Sequence, residues 1–372
     1  MRIILDPQIF NDQKYGGISR YYKEIFSRLA QHESINIPLF QTFNVYLKES
    51  DLLTSKQKRN AWIVKTMMKL GISTRSLIRK NQAKIFNTAV ANWDYDVFVP
   101  TYYDDYFLDK INDKPFVLTV YDMIHELFPE NFHDNNYNVS ANKKKLIEKA
   151  TQIIAVSNNT KKDILKIYPH IDASKIEVIY HGVSIKVNHN IKISLPDNYI
   201  LFVGNRSNYK NFRFLVTAIK DTLLHHSNLV LLCAGGGEFS SEEKDFFARE
   251  GISKLVIQKD FKENELGLFY QNAKCFVFPS IYEGFGIPVL ESMTCGCPIV
   301  LGKHSSFPEV ASDAGCYFDL NNPVDLKEKI ELLLDDANLR AEYIQKGLAQ
   351  ASKFNWDNAA HQCLEVYKKS LK

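Results

Sequence analysis

Long apolar runs and a secretion signal are missing from this 372-residue sequence. Nowhere do about 18 apolar residues follow one another, and the apolar run within the first ten residues is too short for a signal peptide. We therefore expect a cytoplasmic protein that is either soluble or peripheral on the inner face of a membrane.

Cysteine pairs with the spacing of metal or redox motifs are also missing. No two cysteines are separated by two residues, and most lie in apolar runs. This pattern predicts reduced, buried thiols, with the close pair Cys295 and Cys297 in a structural role.

Internal repeats, low-complexity tracts and a large excess of one charge are absent as well. The formal net charge is only +3, which does not favour nucleic acid as a partner of the whole surface. The length and the 45% hydrophobic content instead fit a globular chain of two domains, because single cores rarely grow this large.

Short β-branched and aromatic runs do occur, and they alternate with amphipathic helical patterns. That alternation predicts βαβ units, hence an α/β fold with parallel sheets covered by helices. The pattern lapses in a polar stretch and restarts near Asn198. We predict an N-terminal domain over residues 1–190, a second α/β domain over 191–355 and a last amphipathic helix over 356–372.

Loops after the strands carry the candidate site residues, because ligands of open parallel sheets lie beyond the carboxyl ends of the strands. In the first such loop Gly16 and Gly17 precede a helix, which suits an anion bound by backbone amides. A plain strand-to-helix turn is the alternative. In a later loop Arg206 and Lys210 would reach a diphosphate, unless they belong to a solvated basic loop.

A third loop holds two glutamates, Glu283 and Glu291, on either side of a Gly-Phe-Gly-Ile-Pro sequence. Pro288 favours the first turn of a helix, and Gly296 favours its end. Favourable interaction with the helix dipole explains Glu291 alone, at about 0.3–1 kcal/mol, but does not explain both acids.

Together these segments resemble the retaining glycosyltransferases of family four, which share the GT-B fold. The resemblance covers nearly the whole chain and rests on the stretches YEGFGIPVLESMTCGCPIV, FVGNRSNYKNF, GGISRYY, AVSNNTKKDI, YHGV and FPEVASDAGCYFD. It implies two Rossmann-like domains facing a cleft, an acceptor bound by the N-terminal domain, a nucleotide-sugar held mainly by the C-terminal domain, and a last helix that returns to the N-terminal domain from about Trp356.

The resemblance also implies roles for individual residues. Glu291 would accept hydrogen bonds from the ribose hydroxyls, Glu283 would hold the transferred sugar, and Arg206 and Lys210 would stabilise the departing diphosphate. The donor-binding residues implied in this way are Gly16, Gly17, Gly204, Asn205, Glu283, Gly284, Phe285, Gly286, Ile287 and Glu291.

A fourth loop departs from the family pattern. Many relatives carry His-Asp directly after the strand, whereas this chain has Tyr121 before Asp122, and the nearest histidine is His125. Either Tyr121 or His125 supplies the contact to the donor sugar, or acceptor chemistry differs. Asp122 and His125 are therefore candidate catalytic residues, beside Arg206, Lys210 and Glu283. A lone histidine beside a strand is more often structural.

Nothing in the sequence marks a protein nucleophile, a metal site or a cofactor site. We expect a front-face displacement in which the leaving phosphate helps to deprotonate the acceptor. Asp94 and Asp96 match an Asp-x-Asp metal motif, but Asp96 is better interpreted as a strand-start residue. The glycines at 235–237 lack the order of a dinucleotide motif and would instead line a base pocket, and His181 suits a hinge or strand end.

Acidic residues are missing from the whole stretch 52–93, which is rich in lysine, arginine and apolar residues. Its basic part, residues 56–84, would lie on an anionic membrane surface, or form ordinary solvated helices. The stacking pattern of a single-strand nucleic-acid binder is absent.

The resulting expectation is a metal-independent retaining hexosyltransferase that uses a nucleotide-sugar and a surface-glycan or lipid-linked acceptor. Mannose is favoured over other hexoses, and GDP-sugars over UDP-sugars. A nucleotide-sugar epimerase of the same fold and a catalytically silent glycan-binding scaffold are the alternatives.

Overall fold

The computed structural model describes residues 1–132, 139–206 and 208–372, which form two compact units. Unit 1 comprises Met1–His181 and Trp356–Lys372, and unit 2 comprises Gly182–Asn355. The division follows His181, whereas the sequence pattern suggested residue 190. The polar stretch after His181 belongs to unit 2 because it packs there: Lys259 Nζ donates to the Ser194 carbonyl at 2.5 Å.

Unit 1 contains parallel strands and helices in alternation. In chain order its elements are β1 (Arg2–Leu5), α1 (Gln8–Asp12), α2 (Gly17–Leu29), β2 (Ser34–Asn36), α3 (Val45–Lys48), α4 (Ser55–Lys69), α5 (Arg75–Asn92), β3 (Val97–Val99), β4 (Val117–Val120), α6 (Ile124–Leu127), α7 (Val139–Lys149), β5 (Gln152–Ala155), α8 (Asn158–Ile167) and β6 (Ile176–Val178).

The strands of unit 1 form two parallel sheets, in the orders β2-β1-β3 and β4-β5-β6. A single parallel bridge between Phe98 and Phe116 connects them. In the first sheet Ile4 is paired with Asn36 on one side and Phe98 on the other. The chain thus adds strands on both sides of β1, and the strand order reverses between β1 and β3.

Unit 2 repeats this plan with a single six-stranded parallel sheet. Its elements are β7 (Tyr199–Val203), α9 (Phe212–His225), β8 (Val230–Ala234), α10 (Ser241–Arg249), β9 (Val256–Lys259), α11 (Leu266–Gln271), β10 (Cys275–Phe278), α12 (Ile287–Thr294), β11 (Ile299–Gly302), α13 (Phe307–Ala311), β12 (Gly315–Phe318), α14 (Pro323–Asp335) and α15 (Ala337–Ala351).

The strand order in unit 2 is β12-β11-β10-β7-β8-β9, so it reverses between β7 and β10. Ile200 is paired with Cys275 of β10 and Leu231 of β8. Apolar side chains from β7, β8 and β10 form a buried core with α9 and α14. A reversal of this kind opens a crevice beyond the carboxyl ends of the two strands, where α/β proteins bind ligands.

The last helix, α16 (Trp356–Lys369), follows unit 2 in the chain but packs in unit 1 against α2. Its Trp356 and Tyr367 rings lie 6.0 and 6.2 Å from the rings of Tyr21 and Phe26. Arg28 adds an ion pair to Asp357 at 2.5 Å. The helix thus closes an aromatic core that residues 1–181 leave incomplete.

Two sequence-based expectations concern the cysteines and the membrane-spanning potential of the helices. All six cysteines are buried and free of disulfides, as predicted for reduced thiols. None of the helices in the three described ranges combines the length and apolarity that crossing a bilayer requires.

Candidate donor site in unit 2

Lys210 and Glu283 meet where the strand order of unit 2 reverses. Lys210 ends a short 3-10 turn after β7, Glu283 lies in the loop after β10, and Lys210 Nζ contacts Glu283 Oε1 at 2.5 Å. Only 15% and 16% of the two side chains is exposed. Ser207, between Arg206 and Lys210 in the sequence, lies outside the described residues.

The charge of Lys210 is held by its neighbours. Burial works to lower the pKa of Lys210, but the Glu283 carboxylate and Tyr209 outweigh it and raise that pKa above its usual value. The ammonium group also lies 5.0 and 5.1 Å from the ring centroids of Tyr209 and Phe278, within cation–π range. These contacts favour the charged form of Lys210 at the strand-order reversal of unit 2.

The loop that carries Glu283 is fastened by two serines from the loop after β11. Ser305 Oγ accepts from the Glu283 amide at 3.1 Å and donates to its carbonyl at 2.5 Å. Ser306 Oγ donates to the carbonyls of Glu283 and Phe285 at 2.9 and 3.0 Å. Neither serine was predicted from the sequence as a site residue, although both follow the apolar run PIVLG, a predicted strand.

Helix α12 begins directly after Gly286, with Pro288 in its first turn as predicted. This glycine has φ +89°, in the left-handed region, and a Cβ here would lie 3.2 Å from Val289 and 3.3 Å from Phe307. Gly284, Phe285 and Gly286 are buried. The turn between Glu283 and α12 therefore depends on glycine at this point.

Glu291 lies inside α12 with only 5% of its surface exposed. Tyr270 of α11 donates a hydrogen bond to Glu291 Oε2 at 3.3 Å. Burial, together with the Glu291 charge, raises the pKa of Tyr270 well above its usual value, so Tyr270 stays a neutral donor. No motif in the sequence pointed to Tyr270 as a site residue.

The Arg206 side chain packs against the loop after β8 and the start of α10. Its Nε contacts Glu243 Oε1 of α10 at 2.6 Å, and Nη2 donates to the carbonyls of Gly237 and Glu238 at 3.1 and 3.0 Å. The guanidinium carbon also lies 4.8 Å from the ring of Phe239. The predicted diphosphate contact of Arg206 stays a prediction, since these partners already engage the guanidinium group.

The glycine-rich loop at 235–237 fits closely against this arginine. A Cβ on Gly236 would lie 2.4 Å from the Gly204 carbonyl oxygen and 2.8 Å from Arg206 Nη1. The Gly204 amide itself donates to the Ala234 carbonyl at 2.9 Å, and Asn205 beside it is exposed. The backbone of Gly204 thus packs closely against the loop after β8, and Arg206 stabilises that loop through hydrogen bonds to its carbonyl groups.

Gly16 and Gly17 belong to unit 1, where Gly16 precedes α2. The side-chain oxygen of Gln13 accepts from the Ser19 amide at 3.3 Å, so part of this helix start is already capped within the chain. A Cβ on Gly16 would collide with Gln13 at 2.1 Å. Because the atom in question is the terminal oxygen of the flexible Gln13 side chain, which can move aside, this contact does not by itself require glycine, and the predicted anion contact stays a prediction.

Tyr121, Asp122 and His125 also lie in unit 1, after β4. The Tyr121 ring is buried among Tyr21, Tyr22 and Tyr103, and burial raises its pKa well above the usual value. Tyr121 is thus a packed core residue.

Asp122 and His125 have different surroundings from Tyr121. The buried Lys143 donates to the Asp122 carbonyl at 3.1 Å and to Glu126 at 2.9 Å, and the His125 ring packs at 4.3 Å from Phe132. Lys143 therefore fixes the backbone of this segment.

The structure places Lys210 in contact with Glu283, Glu291 in the helix that follows the Glu283 loop, and Arg206 against the loop after β8. Asp94 and Asp96 both pair with Arg2, and Asp96 precedes β3 as predicted. Within the described ranges no three His, Cys, Asp or Glu side chains converge as a metal ion would require.

Comparison with known sequences identifies the class to which this fold and site belong. The profile of Glycosyltransferase Family 4 matches residues 15–187, and that of Glycosyl transferases group 1 matches residues 186–350. The fold is that of the GT-B glycosyltransferases, shared with sucrose-phosphate synthase from Thermosynechococcus elongatus (TM-score 0.74, 16% identity, 99% of this chain and 98% of that one). HepE of Anabaena, solved with UDP and glucose, gives a TM-score of 0.72 at 18% identity, over 99% of both chains.

The chain belongs to the family-four, group 1 glycosyltransferases. The O-antigen chain mannosyltransferase B of Escherichia coli is 33% identical over 177 residues, which are 46% of this chain and 45% of that protein. The matches span 60%, 45% and 30% of the lengths of the first three curated relatives, so the activity of those whole proteins does not transfer directly.

Proposed function

We propose that this protein is a retaining, metal-independent hexosyltransferase that takes a sugar from a nucleotide-sugar. The observation that carries the proposal is the contact of Lys210 with Glu283 at the strand-order reversal of unit 2. A cation suits a phosphate and a carboxylate suits sugar hydroxyls. Their direct contact therefore suits a ligand in which a phosphate is bonded to a sugar.

In this proposal Lys210 stabilises the negative charge that develops on the leaving diphosphate. Stabilisation of that charge in the transition state, in a partly buried site, is the main source of rate. Glu283 orients the sugar, its backbone held by Ser305 and Ser306, and Glu291 accepts from the ribose hydroxyls. No protein nucleophile takes part; the departing phosphate accepts the acceptor proton.

The proposed sugar is mannose, with a GDP-sugar favoured over a UDP-sugar. The mannosyltransferase relative supports the sugar, whereas the UDP bound to HepE is a reason to test both bases. The proposed acceptor is a surface glycan or a lipid-linked saccharide.

Helices α4 and α5 support a peripheral membrane position. Between Leu52 and Trp93 there is no acidic residue, and 68% of the Trp62 side chain is exposed. Other exposed apolar side chains of this region are Ile63, Met68, Leu70, Ile72 and Leu77. Lysines among exposed apolar groups favour binding to an anionic bilayer, and each basic residue near the surface contributes about 1 kcal/mol to the binding free energy.

Calorimetry with GDP, UDP, dTDP, CMP and their common sugars, followed by a transfer assay, tests the donor site. We expect one nucleotide class to bind, Lys210→Ala and Glu291→Ala to weaken it at least about tenfold, and EDTA to change nothing. Lys220→Ala is the matched control, because Lys220 pairs with Glu250 at 2.8 Å elsewhere in unit 2.

Other results of these experiments would support one of the two alternative functions, an epimerase or a glycan-binding scaffold. Interconversion of the donor sugar without any acceptor supports an epimerase. If folded protein binds no nucleotide at millimolar concentration, the transferase proposal is wrong and a glycan-binding scaffold takes its place.

Co-sedimentation with lipid vesicles tests the peripheral membrane position. The fraction of protein that sediments with vesicles of phosphatidylcholine and 20% phosphatidylglycerol must fall for Trp62→Ser.

A further inference from the structure

Unit 1 contains a cavity of about 560 Å³ at its own strand-order reversal. One wall follows β1, another follows β3, and α5 forms the third. Its lining residues are Pro7, Gln8, Asn11, Asp12, Gln41, Phe43, Arg75, Ile78, Arg79, Gln82, Ala83, Phe86, Tyr106 and Lys110. Because β1 and β3 are the strands between which the order reverses, this is where a sheet of this type receives a ligand.

Three cations face this cavity: Arg75 and Arg79 of α5, and Lys110. Arg75 and Arg79 are four residues apart, so they lie on one face of the helix. Within the described part of the chain none of the three has a carboxylate in ion-pair contact, and Asp12 is the one acid that lines the cavity there. The cavity therefore has an excess of positive charge available to an anion.

Beneath these cations the surface is apolar and aromatic. Lys110 Nζ lies 5.3 Å from the ring centroid of Phe86 and 5.4 Å from that of Tyr106. The two rings are themselves 5.0 Å apart, and Ile78 and Phe43 extend the apolar surface. A ligand that fits both parts has an anionic group joined to an apolar or amphipathic one.

The walls are held in place from behind. The buried Asp6, directly after β1, accepts hydrogen bonds from Tyr106 Oη and from Thr101 Oγ1, the latter at 3.2 Å. Gln82 fastens α5 by donating to the Pro38 carbonyl at 2.8 Å and accepting from the Phe40 amide at 2.9 Å. The cavity is thus formed before any ligand arrives, which lowers the entropic cost of binding.

We propose that this cavity binds the phosphoryl group of the acceptor, with Arg75, Arg79 and Lys110 around the phosphate oxygens and the Phe86–Tyr106 surface against its organic part. The proposal rests on the proposed function, since it names the acceptor class of that transferase. Two sources share the chemistry: a prenyl phosphate lipid or a soluble sugar phosphate.

Calorimetry on the full chain at 150 mM salt separates these sources, with farnesyl phosphate below its micelle concentration, farnesol and mannose 1-phosphate as probes. We expect farnesyl phosphate to bind, farnesol to bind at least about tenfold more weakly, and Arg75→Gln and Arg79→Gln each to weaken farnesyl phosphate about five- to tenfold. Mannose 1-phosphate that binds as tightly, with the same sensitivity to both variants, supports the phosphoryl site and assigns the soluble source.

The matched controls are Lys80→Gln and Lys84→Gln, which remove the same charge from exposed positions of α5 outside the cavity lining. We expect them to change binding less than about twofold. Equal effects of all four variants would show diffuse electrostatic attraction, and equal binding of farnesol and farnesyl phosphate would show an apolar pocket; either overturns the proposal. Nucleotide affinity, measured in the same samples, reports on unit 2 separately, so loss of one proposal leaves the other testable.

Discussion

Arg206 and Arg213 differ in surroundings although each pairs with a glutamate in the first turn of α10. Arg206 and Glu243 are 6% and 23% exposed, whereas Arg213 and Glu242 are 63% and 82% exposed. In the less exposed pair the pKa of Glu243 lies below its usual value, because Arg206 and the hydrogen bonds from Ser240 together outweigh the effect of burial. Arg206 is therefore a positioning residue for the loop after β8 in this structure.

Double-mutant cycles with alanine test this difference. We expect a coupling energy of about 1–3 kcal/mol for Arg206 and Glu243, and below about 0.5 kcal/mol for Arg213 and Glu242, measured by urea unfolding. The same variants belong in the nucleotide titration. If Arg206 serves the diphosphate, as the sequence predicts, Arg206→Ala weakens nucleotide binding and Glu243→Ala does not; equal coupling in both cycles would contradict the positioning role.

Asp6 makes the stability of unit 1 depend on pH. Burial raises the pKa of Asp6 to about 6, although hydrogen bonds from Tyr106 and Thr101 oppose the rise. An unfolded aspartate titrates near 3.9, so between about pH 4 and 6 the folded chain binds a proton that the unfolded chain has lost. This contribution to stability is therefore present below pH 4 and lost as the pH rises through 6.

The variant Asp6→Asn isolates that contribution from other carboxylates. Relative to this variant, we expect the unfolding free energy of the natural chain to increase by about 2 kcal/mol as the pH falls from 7 to 4. Denaturant unfolding at several pH values measures the difference, and a difference that stays constant would show that Asp6 is ionised alike in both states.

At the scale of elements, apolar β-branched and aromatic runs predicted most strands, including the three-residue β3 and β6, whereas β2 and β12 were not predicted. β7 and β10 follow from the runs YILFV and CFVF, because both are buried throughout. β2 is only Ser-Ile-Asn at a sheet edge, so its period cannot be recognised. Strand pairing, which decides what is adjacent in space, has no local signal in the sequence.

The candidate site was predictable to the same extent. The loops that carry Lys210, Glu283 and Glu291 were identified because each follows or contains a recognisable strand or helix start. The contact between Lys210 and Glu283 was not, since it needs β7 beside β10. Likewise the direction of Arg206 depends on Glu243, 37 residues away, and the hydrogen bonds of Ser305 depend on a loop from another strand.

Two neighbouring glycines after β8 test how tightly that element is built. Gly236 and Gly237 both have φ +75°, but a Cβ has no neighbour within 4 Å at Gly237 and lies 2.4 Å from the Gly204 carbonyl at Gly236. We expect Gly237→Ala to cost about 1–2 kcal/mol from backbone strain alone, and Gly236→Ala at least about 2 kcal/mol more.

Thermal unfolding and nucleotide titration measure both effects. Gly236→Ala should also weaken nucleotide binding, because it displaces Gly204 or Arg206, whereas Gly237→Ala should bind nearly as the natural chain does. Equal losses in the two variants would mean that the loop relaxes without strain.

At the scale of the whole molecule, the two units differ in how the chain builds them. Unit 2 is one continuous segment, whereas unit 1 needs α16 from beyond it. We expect a fragment of residues 182–355 to unfold cooperatively on its own, and a fragment of residues 1–181 to lack cooperative unfolding until a peptide of residues 356–372 is added. Circular dichroism and urea titration check this, and a cooperative 1–181 fragment would show that α16 is dispensable.

The discontinuity of unit 1 also has a consequence on the ribosome. Domains generally fold as they emerge from the ribosome, which adds about 5–20 residues per second. Synthesis of the 182–355 segment therefore delays α16 by roughly ten to thirty-five seconds. During that interval the face of α2 that α16 will cover, with Tyr21 and Phe26, stays exposed on the nascent chain. Unit 2 can thus fold before unit 1 is complete. Until α16 is made, unit 1 exposes an aromatic surface that suits a chaperone bound during translation.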